Sequence, residues 1–416
     1  MTDAPVVIVG AGAAGIGAAR RLMGLGIASI VLEATARAGG RALTASGGLS
    51  RRWDHGAHWL HSAATNPLVP LARTMGATFT EEDEGPPFRL WASGRFADQA
   101  EMHRARSELE RLSDAIETIA GTKRDVAVAD LMAEPGPWSQ LVRTVFATLA
   151  GEDADKVSAS GYGDYADWGL DWPVDSGYGA LIEKLAEGLD IRCGTPVTGI
   201  REVSAGVDVV TPFGTQRARA VIVTVSTNVL SSGAIRFGPG AAADVVAALI
   251  PDMPCGAYEK VAFELTELPG ELNGIGFCTI DPGNADFPVE TEVIAGAVPM
   301  LITHLAGDAA RTLINRGEDA LAANARACLR AAFGSGIDRQ IKGHATTRWT
   351  KDPWVRGSYS HAKPGRAAAR RAAIAAETGR ILFAGEAFSS GWQATVHGAW
   401  QTGQDRADQI ALSGWA

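Results

Sequence analysis

Cysteine is scarce in this chain. The four residues, Cys193, Cys255, Cys278 and Cys328, stand far apart, with no Cys-x-x-Cys pair and no histidine at a zinc-ligand spacing. No disulfide framework and no metal site is expected, and the pattern suits a reducing, cytoplasmic setting. No stretch approaches the roughly 18 consecutive apolar residues of a membrane span. No basic segment precedes the first apolar run, MTDAPVVIVGAG, so it does not read as a secretion signal. Basic clusters are also missing. Against 38 Lys and Arg stand 47 Asp and Glu, a net charge of −9. That argues against nucleic acid as the main partner, which needs concentrated cationic side chains, and it is mildly compatible with a cationic substrate.

What remains is an ordinary globular composition, 46% hydrophobic and 20% charged, over 416 residues, long enough for two domains. The sharpest local pattern opens the chain. PVVIVGAGAAGIGAARRLMGLG (5–26) is a short continuous apolar run, a glycine turn and a helix. Val6 to Val9 suit a central parallel strand, apolar on both faces. Gly10, Gly12 and Gly15 make G-x-G-x-x-G: the first for a tight turn, the second for close approach of a pyrophosphate, the third for close packing of helix on strand. Unpaired N–H groups at the helix start favour that anion. A second strand, ASIVLEA (28–34), ends in Glu33, placed as the acid that binds a ribose hydroxyl. RAGGRAL (37–43) adds Gly39, Gly40 and Arg41, with Arg41 as a fork for the pyrophosphate.

Further along, GAYEKVAFEL (256–265) alternates as a strand, with Val261, Phe263 and Leu265 on one face. Lys260 falls on the other. Taken alone, it is either a solvated lysine, paired with Glu259 or Glu264, or a functional one. Residues 99–150 look helical, residues 256–306 alternate like antiparallel strands, and 318–334 form a helix ended by Gly334. No internal repeat is present.

The segment GRILFAGEAFSSGWQATVHGAWQTGQDRADQIA (379–411) is a strand, a loop and a helix starting near Ala394 or Thr395. With RAGGRAL, it resembles the flavin-containing amine oxidases, a family of monoamine oxidases, polyamine oxidases and lysine-specific histone demethylases. ATVHGA is most similar to the polyamine oxidase and demethylase branch. WDHGAHWLHSAATNPLVPLA (53–72), DSGYGALIEKLAEGLDIRCGTPVTGI (175–200), AVIVTVSTNVL (220–230) and RWTKDPWVRGSYSHAKPG (348–365) resemble family segments in the same order. Resemblance is thin over 80–175 and 240–340.

The resemblance implies an α/β fold: a Rossmann-type FAD-binding domain assembled from residues 1–78, 176–240 and 342–416. An α+β substrate domain with a mixed sheet and helices would come from 79–175 and 241–341. It implies oxidation of an amine C–N bond by FAD, with O2 as acceptor and hydrogen peroxide as product. Lys260 matches the family's lysine that meets flavin N5 through a water. Tyr359 matches one aromatic wall of the substrate cage, and Thr395 stands where monoamine oxidases have the other. Ser358 stands where they carry the cysteine bonded to FAD, so noncovalent FAD is expected. Val197, Glu386, Trp392 and Val396 match residues around the adenine, the ribityl chain, the isoalloxazine and the pyrimidine, while Thr35 departs from a frequent arginine. His58, in GAHWLH beside His61, is a candidate substrate contact. Asp164, Asp167 and Asp171 are either a site for a second ammonium or a solvated acidic loop. Partners are then a small amine and O2, with a homodimer one option for assembly. Alternatives are a desaturase or oxidase of the carotenoid or porphyrinogen type, an L-amino-acid oxidase, or a non-enzymatic flavoprotein scaffold or chromatin module. Lys260 with RGSY speaks against the first. The acidic pI and lack of basic tails speak against chromatin.

Overall fold

A computed structural model describes residues 4–81, 85–122, 124–132, 138–166, 169–204 and 206–415. Five parallel strands form one sheet in the order Ile381–Phe383, Val221–Val223, Val6–Val9, Ser29–Leu32, Ile191–Arg192. They are drawn from three distant parts of the chain. Both faces are covered, which is why Val6–Val9 is apolar without interruption. Val6 and Ile8 pack with Ala14, Ala18 and Leu22 of helix Ala13–Gly24 and with Ala407 and Ile410 of helix Val396–Leu412. Val7 and Val9 pack on the other side, with Val207 and Val209 of a four-stranded sheet. The two helices touch backbone to backbone: a Cβ on Gly403 would lie 2.0 Å from Ala14 O.

A seven-stranded mixed sheet has the order Ile341–Thr346, Tyr258–Leu265, Met300–Ala306, Val289–Ile294, Phe277–Asp281, Phe88–Ala92, Arg95–Phe96. The four strands within 256–306 run antiparallel to their neighbours among themselves, and Phe277–Asp281 pairs parallel with Phe88–Ala92. On one face Val261, Phe263 and Leu265 pack with Leu313, Leu321 and Leu329 of helices Gly307–Arg316 and Glu318–Phe333. Gly334 (φ 74°) ends the second helix. The other face meets the stretch around Trp53, which packs against Ala262 and Ile302. No residue of Glu259–Leu265 is exposed, so neither face of this strand is a solvated one.

The helical reading of 99–150 needs correction. It resolves into two helices, Gln99–Ile119 and Ser139–Ala150, with a short 3-10 turn at Val128–Leu131 between them. Asp98 accepts from Glu101 N and Glu101 accepts from Asp98 N, a reciprocal cap that starts the first. Among the described residues no helix is long and apolar enough to cross a membrane.

Candidate active site

The N-terminal glycines behave differently from one another. Gly10 has φ 105°, and a Cβ on Gly15 would lie 1.9 Å from Gly10 O. Both positions are closed to any larger residue. A Cβ on Gly12 would meet no protein atom within 4 Å, so this glycine leaves room at the helix start. Gly39 donates from its N–H to Ala11 O at 2.8 Å, and a Cβ on Gly40 would sit 3.2 Å from Gly12 Cα. The two glycine motifs therefore build one backbone cradle. Glu33 closes its side: Oε2 accepts from Ala11 N at 2.7 Å and Oε1 from Thr35 N at 2.8 Å. Thr35, where an arginine is frequent, places its hydroxyl 2.8 Å from the same Oε1.

Glu386 is buried beside two arginines. Its Oε1 accepts from Arg41 Nη1 at 3.0 Å and Ser360 N at 3.1 Å; its Oε2 accepts from Ser360 Oγ at 2.8 Å and Ala394 N at 3.0 Å. Burial raises its pKa, but Arg41 and Arg370 outweigh it and the carboxyl is held below its usual range. Arg41 also donates to Ser358 O. Thr395 is the N-cap of helix Val396–Leu412, accepting from Gly398 N at 2.9 Å. By helix geometry the N–H of Val396 has no partner within the helix. Trp392 packs edge-on to His397, ring centroids 5.1 Å apart, and Val197 is buried. Four buried polar atoms near these motifs in sequence lack partners: Ser358 Oγ, His361 Nδ1, Gln393 Oε1 and His397 Nε2. An open helix start, a carboxylate and orphaned polar atoms suit a dinucleotide.

Lys260 lies on the buried face of the seven-stranded sheet and is 6% exposed. Its Nζ donates to Gly56 O at 2.8 Å and Asp54 O at 3.1 Å, tying the sheet to the segment after the second glycine motif. Burial lowers its pKa, with Glu292 and Asp54 pulling the other way. Neither adjacent acid pairs with it. Glu259 accepts from Thr347 Oγ1, Trp349 N and Thr350 N, and Glu264 from Ser50.

Cross-strand register sets Lys260 opposite His304, and His304 opposite Glu290. Glu292 comes to the same face two residues on. Its Oε2 lies 3.4 Å from His304 Nε2 and its Oε1 lies 3.5 Å from His58 Nε2. Burial raises the Glu292 pKa, but His58, His304 and Lys260 bring it down to about 2. His58 Nδ1 lies 2.7 Å from Asp54 Oδ2. Burial depresses His58, but Glu292 and Asp54 win and its pKa is raised. Both His58 nitrogens thus face carboxylates. His304 is lowered, mainly by burial. Burial pushes Glu290 up to about 7, helped by Glu292 and opposed by its bond from Thr148.

The ring facing Tyr359 is Tyr258, centroids 6.0 Å apart and planes 46° from each other. Tyr359 donates from its hydroxyl to Thr148 O, and Tyr258 Oη lies 2.8 Å from His304 Nδ1. Tyr258, Asp54, Glu290, Glu292 and His304 were not singled out from sequence. Two acids at alternate positions in VETEVI, and one histidine in MLITHLA, were the available signals. The acids at 164 and 171 are not free for an ammonium: Arg371 donates to Asp164 at 2.6 Å, and His61 Nδ1 lies 2.7 Å from Asp171. Asp167 lies outside the described residues.

The family model for flavin containing amine oxidoreductases matches residues 13–162 and 162–411. The chain belongs to this family. Lysine-specific histone demethylase 2 of Homo sapiens is 28% identical over 98% of the chain and 53% of its own length. Protein FLOWERING LOCUS D of Arabidopsis thaliana is 30% identical over 98% of the chain and 55% of its own. Polyamine oxidase 4 of Oryza sativa subsp. japonica is 27% identical, over 97% and 88%. The chain thus spans about half the length of the histone demethylases. Among solved structures, cyclohexylamine oxidase from Brevibacterium oxydans IH-35A superposes with a TM-score of 0.84 at 22% identity, covering 99% of both chains. Wild-type putrescine oxidase bound to putrescine gives 0.80 at 18%, over 98% of this chain and 99% of the other. This oxidoreductase family membership accounts for the cradle and, with the fold likeness, sets the frame for the buried lysine.

Proposed function

We propose that this protein is an FAD-dependent amine oxidase that converts a small primary or secondary amine, a monoamine or polyamine, to its imine. One observation carries the reading. Lys260 is buried on two carbonyls of the segment that follows the second glycine motif, with Tyr258, Tyr359 and Glu292 on the same side. Bound FAD supplies the redox chemistry, taking the equivalent of a hydride from the amine carbon and passing electrons to O2 to give hydrogen peroxide.

The chain's own residues bind and orient. The Gly10–Gly15 turn, the Gly39–Gly40 pair and Glu33 would hold the dinucleotide, with Arg41 and Glu386 near its pyrophosphate and ribityl chain and Val197, Trp392, Thr395 and Val396 along the rest. Ser358 cannot form a thioether, which supports noncovalent binding. Tyr258 and Tyr359 offer faces to a cationic or neutral amine. Ionised Glu292 would favour the cationic form of the amine on this side of the sheet.

The test is anaerobic bleaching of the flavin, followed by peroxide detection in air. The panel is putrescine, spermidine, acetylspermidine, benzylamine, tyramine, cyclohexylamine and amino acids, plus a methyl-lysine peptide as the demethylase-type arm. An FAD-loaded protein that no amine reduces would sink the proposal.

A further inference from the structure

Tyr258, His304, Glu292, His58 and Asp54 form a continuous polar chain across the buried face of the seven-stranded sheet. The steps are 2.8 Å from Tyr258 Oη to His304 Nδ1, 3.4 Å from His304 Nε2 to Glu292 and 3.5 Å from Glu292 to His58 Nε2. A final 2.7 Å separates His58 Nδ1 from Asp54. Holding a dinucleotide and stacking an amine do not explain it.

Resting on the amine oxidase reading, we propose that His304 is the base that takes a proton from the substrate ammonium through the hydroxyl of Tyr258, with Glu292 holding the imidazolium that forms.

A simple alkyl amine has a pKa near ~10 and arrives as an ammonium ion. Its nitrogen lone pair must be free before the carbon can give up a hydride, so one proton has to leave. The neighbours are poorly suited to receive it. Lys260 is engaged as a donor to two carbonyls. Both nitrogens of His58 and both oxygens of Glu292 face ionic partners. His304 is different. Burial, Tyr359 and the acids nearby keep the Tyr258 phenol protonated, and its Oη lies 2.8 Å from His304 Nδ1. The relay uses the tautomer in which Tyr258 donates to a bare Nδ1 and the ring proton sits on Nε2, 3.4 Å from Glu292. Tyr258 also borders Tyr359, where the amine would stack.

The transfer balances. One ammonium N–H bond breaks as its proton goes to the Tyr258 oxygen, and the proton already on Tyr258 goes to Nδ1. The products are a neutral amine, an intact phenol and a His304 imidazolium. No electrons change hands. The groups facing His304 decide whether it holds the proton. Tyr258 and Lys260 come from one adjoining strand, Glu290 and Glu292 from the other. His58 and Asp54 lie beyond Glu292. Arg143, Asp153 and Asp308 line, with His304 and Thr148, a cavity of about 290 Å³. Lys260 and His58 oppose a charge on His304. Glu292, the only carboxylate within 4 Å of its ring nitrogens among the described residues, favours it.

The test follows the second-order rate of anaerobic flavin reduction by benzylamine against pH in the FAD-loaded protein. His304→Gln has no base, so its rate should climb about tenfold per pH unit towards the amine's own pKa. Wild type, whose His304 is already neutral at low pH because burial lowers it, should level off earlier. Parallel profiles overturn the proposal. Tyr258→Phe covers the case of a variant that does not fold. With benzylamine, its second-order rate of anaerobic flavin reduction should climb about tenfold per pH unit towards the amine's own pKa, while wild type levels off earlier. Parallel profiles overturn the relay. If no amine reduces the wild-type flavin, the function reading has failed instead, and the two failures are distinct.

Discussion

Glu292 and His58 lie 3.5 Å apart, although one belongs to the middle of the seven-stranded sheet and the other to the loop after the second glycine motif. With Lys260 on Gly56 O, this contact fixes the sheet against the segment that follows the second glycine motif.

Glu292→Gln removes the anion from a buried group of cations and leaves His58 and Lys260 without it. Breaking such a pair costs about 3 kcal/mol or more. The sign with pH follows from the direction of the shift. Glu292 has a folded pKa of about 2, below the unfolded value. Its contribution is therefore present above ~4.3 and lost as the pH falls towards 2. Urea unfolding should show a large wild-type advantage at pH 7 that shrinks by pH 3. An advantage that does not change with pH would contradict the ion-pair account.

Lys260→Met keeps the stem length but leaves Asp54 O and Gly56 O without their donor. Each buried carbonyl left unpaired costs about 1 kcal/mol or more. The glycine cradle and Glu386 are untouched, so the variant should retain its flavin spectrum. In the proposed function Lys260 stands beside the flavin, so the reaction of the reduced flavin with O2 should slow at least tenfold in the variant. Wild-type rates in both half-reactions, by stopped flow, would take Lys260 out of the chemistry.

Local features were legible in the sequence because their causes are local. Val6–Val9, the glycine turn, the Gly334 stop and the Thr395 helix start each depend on neighbours within a few residues. Lys260 stood out because a lysine breaks an apolar alternation. Its surroundings did not stand out. Glu292, His304 and Tyr258 acquire meaning only from cross-strand register, which sets Lys260 against His304 and His304 against Glu290. Read singly, VETEVI looks like a strand with a wet face. Tyr258 meets Tyr359 across 101 positions of sequence, and no periodicity reports that contact. Thr395, given a place in the cage from resemblance, acts in the structure as a helix cap.

Glu290 should make stability fall as the pH rises. Its folded pKa is raised to about 7, so between ~4.3 and 7 the native state binds a proton that the unfolded chain has released. Glu290 is partly exposed, and screening keeps the effect to about 2 kcal/mol. Glu290→Gln retains an acceptor for Thr148 and removes the titration. From pH 5 to pH 8 the variant should gain on wild type by that amount in urea midpoints. Parallel curves would mean that Glu290 titrates normally.

Gly12 and Gly15 separate room for a ligand from room for the fold. Gly12 has extended backbone (φ −77°, ψ −177°), and its Cβ would meet no protein atom within 4 Å. Gly12→Ala should therefore unfold within about 0.5 kcal/mol of wild type when free of cofactor. The added methyl group would still stand where the pyrophosphate must approach, so FAD affinity should drop at least tenfold. Gly15→Ala drives a Cβ to 1.9 Å from Gly10 O, where only backbone can give way. Its cost falls on the apo fold itself, about 2 kcal/mol or more. Apo urea unfolding beside FAD titration reads both quantities. Equal losses of stability in the two variants would remove the distinction, and with it the assignment of the Gly12 opening to the cofactor.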